Sequence, residues 1–183
     1  NCEITMNLAR KYSFENEYKR PEKYASKLST DFDWIMDSMK YFKKKNLFFD
    51  NFIILRPTSP FRKANTIKRA FKLFKSKNCH SLRAVRLCNE HPNKMWKIKS
   101  NLLKPLFKSY INGQPGHSNP YQKLPQIYVQ DSSLEICKTD NLFKFKNISG
   151  NKIIPFIMPY SEGFDINFPE DLAIASNILK NIK

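Results

Sequence analysis

Between residues 29 and 45, Phe32, Ile35, Met36 and Met39 recur at the spacing of one helix face. Ser29 or Thr30 stands where an N-cap is needed, Asp31 and Asp33 occupy the first turn, and Lys43, Lys44 and Lys45 fall at the negative end of the helix dipole. The pattern changes at residues 52–55, a short unbroken apolar run that predicts a strand buried on both faces. Helical spacing returns over residues 64–77 through Ile67, Ala70, Phe71 and Phe74, and residues 81–87 read as the next strand. A short strand is expected at 97–99. Residues 103–126 are rich in Pro, Gly, Asn and Gln and lack periodicity, which predicts a long excursion of the functional kind. Residues 127–137 and 152–158 regain extended character, and Pro169 opens a last helix with Leu172, Ala175, Leu179 and Ile182 on its predicted apolar face. Strands alternating with helices predict an α/β fold with a mainly parallel sheet and helices on both sides.

Composition narrows the class. A chain of 183 residues, 41% of them hydrophobic, can bury one core, so a single domain over residues 1–183 is expected. No apolar run reaches the length a membrane-spanning helix needs. The first residues, Asn1-Cys2-Glu3, carry no secretory pattern and read as a cut end. Four scattered cysteines without a CxxC pair argue against a disulfide framework and for the cytoplasm. Cys79, His80, Cys88 and His91 are chemically able to bind zinc, but a strand-like run separates them, where structural zinc sites use tight turns. The net charge of +16 favours polyanions. Its lysines are nonetheless dispersed, as at Lys68, Lys72, Lys75 and Lys77, and do not gather with aromatics into a stacking surface, so nucleic acid is disfavoured as a partner.

Candidate chemistry begins where the first central strand ends. Ligands of open α/β sheets bind outside the carboxyl ends of strands. The segment Arg56-Pro57-Thr58-Ser59-Pro60-Phe61-Arg62 stands there, with stiffening prolines, two hydroxyls, and two guanidinium groups suited to phosphate or carboxylate. A Pro-rich turn with a Ser cap and two surface arginines is the plainer account of the same residues.

This loop resembles the QPTSPLR segment of the acylneuraminate cytidylyltransferases, the CMP-sialic acid synthetase family. Four more segments match that family in order: Arg20-Pro21-Glu22-Lys23-Tyr24-Ala25 (RPAELA), VRLCNEHPNKMW from Val85 to Trp96, YQKLPQIY from Tyr121 to Tyr128 (RQQLPQAF), and Gly163-Phe164-Asp165-Ile166-Asn167 with Glu170-Asp171 (SIDIDTELD). The resemblance implies a Rossmann-like nucleotidyltransferase fold of the GT-A-like, three-layer type, lacking its first βα unit. It implies transfer of CMP from CTP to a nonulosonic (sialic-acid-like) sugar acid, with release of pyrophosphate.

Carried over by position, Asp165 is the first Mg²⁺ ligand and Asn167 replaces the second aspartate with a neutral amide. Arg20, with Asp165, is assigned to catalysis. Arg56, Ser59, Arg62, Gln122, Gln130 and Asp131 are assigned to substrate binding. Arg56 stands in place of a family glutamine, and Asp131 in place of the asparagine of RPNGA; such changes at the sugar contacts imply a sugar other than sialic acid itself. Residues 103–128 match the family's extended arm, which implies a homodimer. The family's Gly-rich basic ARGGSKG-like loop has no counterpart in this chain, so the chain by itself is expected to release no pyrophosphate from CTP, Mg²⁺ and sialic acid. A CMP-Kdo synthetase-like enzyme, or a catalytically inactive binding protein of the same fold, are the alternatives.

Overall fold

The computed structural model describes residues 2–14, 18–26 and 28–181. In chain order it contains α1 (Glu3–Lys11), α2 (Asp31–Lys44), β1 (Asn51–Leu55), α3 (Ala64–Ser76) and β2 (Ser81–Leu87). Short strands β3 (Trp96–Lys99), β4 (Leu102–Pro105), β5 (Tyr110–Ile111) and β6 (Gln114–Pro115) follow. The chain then forms β7 (Tyr128–Lys138), α4 (Asp140–Lys144), β8 (Ile153–Ile157) and α5 (Pro169–Asn181). No helix among the described residues is long and apolar enough to cross a membrane.

The main sheet has four strands in the order β1-β7-β2-β8. β1 and β7 are antiparallel, with Asn51 opposite Lys138 and Leu55 opposite Leu134. β7 also opposes β2, since the Lys138 amide donates to His80 O at 3.0 Å and the Cys88 amide to Ile127 O at 2.9 Å. β2 and β8 run the same way, with His80 N donating to Lys152 O at 2.8 Å and Met158 N to Val85 O at 2.9 Å. The fold is thus mixed α/β, and the expectation of a mainly parallel sheet is corrected. Parallel neighbours need a long crossover, whereas an antiparallel neighbour can return without one. β7 returns from the excursion of β3–β6 instead of from a helix, and takes its place in the opposite sense.

The chain forms two compact units, one of Asn1–Leu55, Asn65–Arg83 and Leu134–Ile154, the other of Arg56–Ala64, Ala84–Ser133 and Pro155–Lys183. In the first, Thr30 is the N-cap of α2: its hydroxyl accepts from Asp33 N while the Asp33 carboxylate accepts from Thr30 N, a complete capping box. That fixes the helix phase. Ile35 is thereby turned inward at 1% exposure, against Phe52, Ile54, Cys137 and Leu142. β1 buries only one face. Phe52 and Ile54 point into this cluster, but Ile53 and Leu55 remain 38% and 42% exposed, because α2 covers only the Phe52 side of an edge strand. In α3 the buried positions are Thr66, Ala70 and Phe74, while Phe71 of the predicted face is exposed.

Several polar groups in this unit meet across the chain. Glu135, only 1% exposed, meets Arg83 at 3.2 Å, and Arg83 also donates to the Ser149 hydroxyl at 2.7 Å. Asn141 donates to both His80 O and Ile148 O at 3.0 Å. Gly150 has φ +65°, and a Cβ there would lie 2.6 Å from His80 Cβ, so this turn admits only glycine. The His80 ring itself accepts from the amides of Asn151 and Lys152.

In the second unit the excursion is tied back by the loop before β3. Lys94 donates to His117 O and Asn119 O at 2.7 and 2.6 Å, and His91 contacts Pro125 O at 3.0 Å while capping the turn through Asn93 N. The ribbons β3–β4 and β5–β6 are antiparallel, and the first is exposed along most of its length. On α5 only Ala175 is buried; Leu172 and Leu179 are more than half exposed, so the apolar face predicted there is largely open, and Ile182 lies outside the described residues.

Burial, and then the nearby Glu135 charge, push the Cys137 thiol up to about 12. At pH 8 its thiolate fraction is then about one in ten thousand. We expect a thiolate-selective reagent at pH 8 to label exposed Cys2 and to leave Cys137 untouched until denaturant is added, as read by peptide mass spectrometry. Labelling of both at the same rate in the folded chain would contradict the core described here.

Candidate functional site

β1 hands the chain to the loop Arg56-Pro57-Thr58-Ser59-Pro60-Phe61-Arg62. Within the second unit this loop is fastened to the segment carrying Asp165. Ile166 N donates to Thr58 O at 2.9 Å, Lys63 N donates to the buried Glu162 carboxylate at 3.0 Å, and the rings of Phe61 and Phe164 meet edge-on with centroids 5.9 Å apart. Arg62 and Asp165 thus stand on segments fastened to each other, although Arg62 is not among the residues that line the cleft described below. Arg20 belongs to the first unit, where its guanidinium lies 5.6 Å from the Trp34 ring centroid.

Arg62 is engaged within the fold through one nitrogen of its guanidinium. Its Nη1 donates to Arg56 O at 3.2 Å and also to Ser133 O, so it links the loop to the start of the buried part of β7. Burial lowers its pKa from the ordinary value, and the charge of Asp131 works against that fall. Ser59 is 4% exposed and its hydroxyl has no partner among the described residues. Gln122 lies exposed on the short turn Tyr121–Lys123, beside the ring of Tyr121 that Lys94 and His91 approach.

A cleft of about 880 Å³ opens beside the fastened segments. Its lining includes Phe61, Arg86, Gln130, Asp131, Tyr160, Gly163, Phe164, Asp165, Asn167 and Asp171. Four of the residues expected from sequence therefore share one cavity: Gln130, Asp131, Asp165 and Asn167. Asp165 Oδ2 accepts from the Asn167 side-chain amide at 3.2 Å, while its buried Oδ1 has no partner. Asp171 accepts from the amides of Asn167 and Phe168, both at 2.9 Å, and so caps α5 and fixes the turn that presents Asn167. Asp131 Oδ1 accepts from Ser133 N at 2.9 Å, and Oδ2 is left over.

Arg86, Phe61 and Gly163 were not anticipated as site residues. Arg86 had a visible signal: an arginine inside a strand-like run of Leu, Ala and Val is out of place unless it meets an anion. Gly163 shows its role only in three dimensions, since a Cβ there would lie 2.5 Å from Asp131 Oδ2.

No protein-family model matches the chain. Two curated proteins do. CMP-N,N'-diacetyllegionaminic acid synthase of Legionella pneumophila subsp. pneumophila is 28% identical over 183 residues, covering 95% of this chain and 73% of that protein. The Post-translational flagellin modification protein B of Campylobacter coli is 27% identical over 184 residues, covering 98% of this chain and 74% of that protein. Over nearly its whole length the chain is thus similar to a CMP-sugar acid synthase and to a flagellin modification protein, a likeness that supports the resemblance to the CMP-sialic-acid-synthetase-like proteins. The likeness runs through both compact units, so it takes in the fastened loop, the cleft and the excursion alike.

The contact at Gly163 can be tested directly. Gly163→Ala should destabilise the chain by about 1–3 kcal/mol through overpacking against the Asp131 carboxylate. In the background of Asp131→Ala the same change should cost clearly less, because the clash partner is gone. Urea midpoints of the four proteins measure this coupling, and strictly additive effects would refute the contact.

Proposed function

We propose that this chain carries the catalytic fold of a cytidylyltransferase that joins CMP to a nonulosonic sugar acid, releasing pyrophosphate. One observation carries the reading: Asp165 presents an unpartnered carboxylate oxygen in a cleft that also holds Asp131, Asn167 and Arg86, in a chain whose relatives include a CMP-sugar acid synthase. In such a transfer the sugar's anomeric hydroxyl attacks the α-phosphorus of CTP, the bond to the pyrophosphate oxygen breaks, and the hydroxyl proton departs. Positioning and charge neutralisation supply most of the rate.

The residues suit Mg²⁺, a hard ion that takes one or two carboxylates beside substrate phosphates. Asp165 would hold it through the oxygen left unpartnered, with Asn167 orienting the carboxylate from its other side. Bound there, the ion would neutralise charge developing on the transferring phosphate. Ser59 offers an unspent hydroxyl to substrate, and Gln130 an amide on the cleft wall. Arg62 acts by holding the loop in place. Arg20 keeps the catalytic role, and Arg56 and Gln122 the substrate-contact roles, that their positions in the motifs suggest.

Protein expressed from the whole coding sequence, given CTP, Mg²⁺ and a panel of nonulosonic acids, should release pyrophosphate with at least one of them. Asp165→Ala should lower that rate by roughly 10²–10³-fold, in line with the loss of one transition-state charge contact. Silence across the panel, or an Asp165→Ala rate equal to wild type, would sink the proposal.

We also assign the excursion to self-association. Ile98, Leu102, Leu103 and Tyr110 are 78%, 64%, 63% and 74% exposed, an apolar surface large for an isolated ribbon. A homodimer contact through this arm fits. Light scattering after size exclusion should show a dimer for the native chain and a monomer for Ile98→Glu with Leu103→Glu; unchanged mass in the double variant would overturn the assignment.

A further inference from the structure

Two charged groups in the cleft are left incompletely satisfied by the fold. Asp131 is 4% exposed, and its Oδ2 meets no donor. Arg86 projects from β2 half-buried, and its guanidinium makes no hydrogen bond or ion pair among the described residues. Both lie against Gly163: a Cβ there would stand 2.5 Å from Asp131 Oδ2 and 3.8 Å from Arg86 Cδ. They are neighbours, yet no ion pair joins them.

The chemistry of each group restricts what can complete it. A carboxylate oxygen only accepts, and burying it unfilled is costly, so it suits a ligand that brings a donor. The Asp131 charge is already opposed by the nearby Arg62, whose Nη1 is spent on the carbonyls of Arg56 and Ser133. A neutral O–H or N–H therefore suits Asp131 better than a second cation. A planar guanidinium pairs in two-point fashion with a carboxylate or phosphate.

We infer that Arg86 and Asp131 together recognise the sugar acid: Arg86 takes its carboxylate, and Asp131 Oδ2 accepts a hydrogen bond from a hydroxyl or acylamino N–H next to it. The identity of the ligand as a sugar acid rests on the cytidylyl-transfer reading above. An anion at Arg86 has two sources in that reaction, the sugar carboxylate and the nucleotide phosphates, and the experiment separates them.

Steady-state kinetics on the whole-length protein would compare wild type, Arg86→Gln and Asp131→Asn, each first checked by circular dichroism and thermal melting. Arg86→Gln should raise KM for the sugar acid about 10–100-fold, the loss of a charged hydrogen-bond pair, with KM for CTP unchanged. Asp131→Asn should raise the same KM roughly 10-fold and again spare CTP. A rise in KM for CTP instead would give Arg86 to the phosphates and overturn the inference, as would unchanged sugar KM in both variants. Should no pyrophosphate appear at all, saturation-transfer NMR with the sugar acid alone decides: binding that Arg86→Gln abolishes sustains the pair while the transfer reading fails, and no binding by wild type ends both.

Discussion

The fastening of one loop to another is the constraint on which the candidate site depends. The hydrogen bond from Ile166 N to Thr58 O, the Glu162 carboxylate on Lys63 N and the edge-on rings of Phe61 and Phe164 hold the segment after β1 against the segment before α5. Glu162 is 5% exposed, so its bond to a backbone amide works in a medium where a charge-assisted contact is strong. Because this junction is fixed, Asp165 can keep an unpartnered oxygen in a defined place. A mobile carboxylate would simply find water.

The same economy governs the cations. Sequence alone treats Arg56 and Arg62 alike and passes over Arg86, but the fold uses them differently. Nη1 of Arg62 is taken up by carbonyl oxygens of Arg56 and Ser133 and braces the scaffold, whereas Arg86, one of two arginines in a strand, lines the cleft. Its strand neighbour Arg83 meets the buried Glu135 instead. Two arginines three residues apart thus have unlike duties, and the difference comes from what β7 places beside each.

Local signals made much of the fold legible. The capping pair Thr30 and Asp33, the apolar spacing of α2, and the run at β1 lie within a few residues of one another, and each element forms where expected. Order of motifs along the chain likewise located the loop at 56–62 and the segment at 163–167. What escaped depends on distant partners. The sense of β7 is decided by how the excursion returns, and the open faces of β1 and α5 by what covers them. Neither is written in periodicity. Gly163 looks like any loop glycine until Asp131, 32 positions earlier, is seen resting on its α-carbon.

That last contact shapes how the cleft can change over time. A side chain at 163 and a carboxylate at 131 exclude each other, so neither position is free to drift alone. An altered taste for ligands at this corner has to pass through a state that is either crowded or hollow. A change at either position is consequently felt at the other.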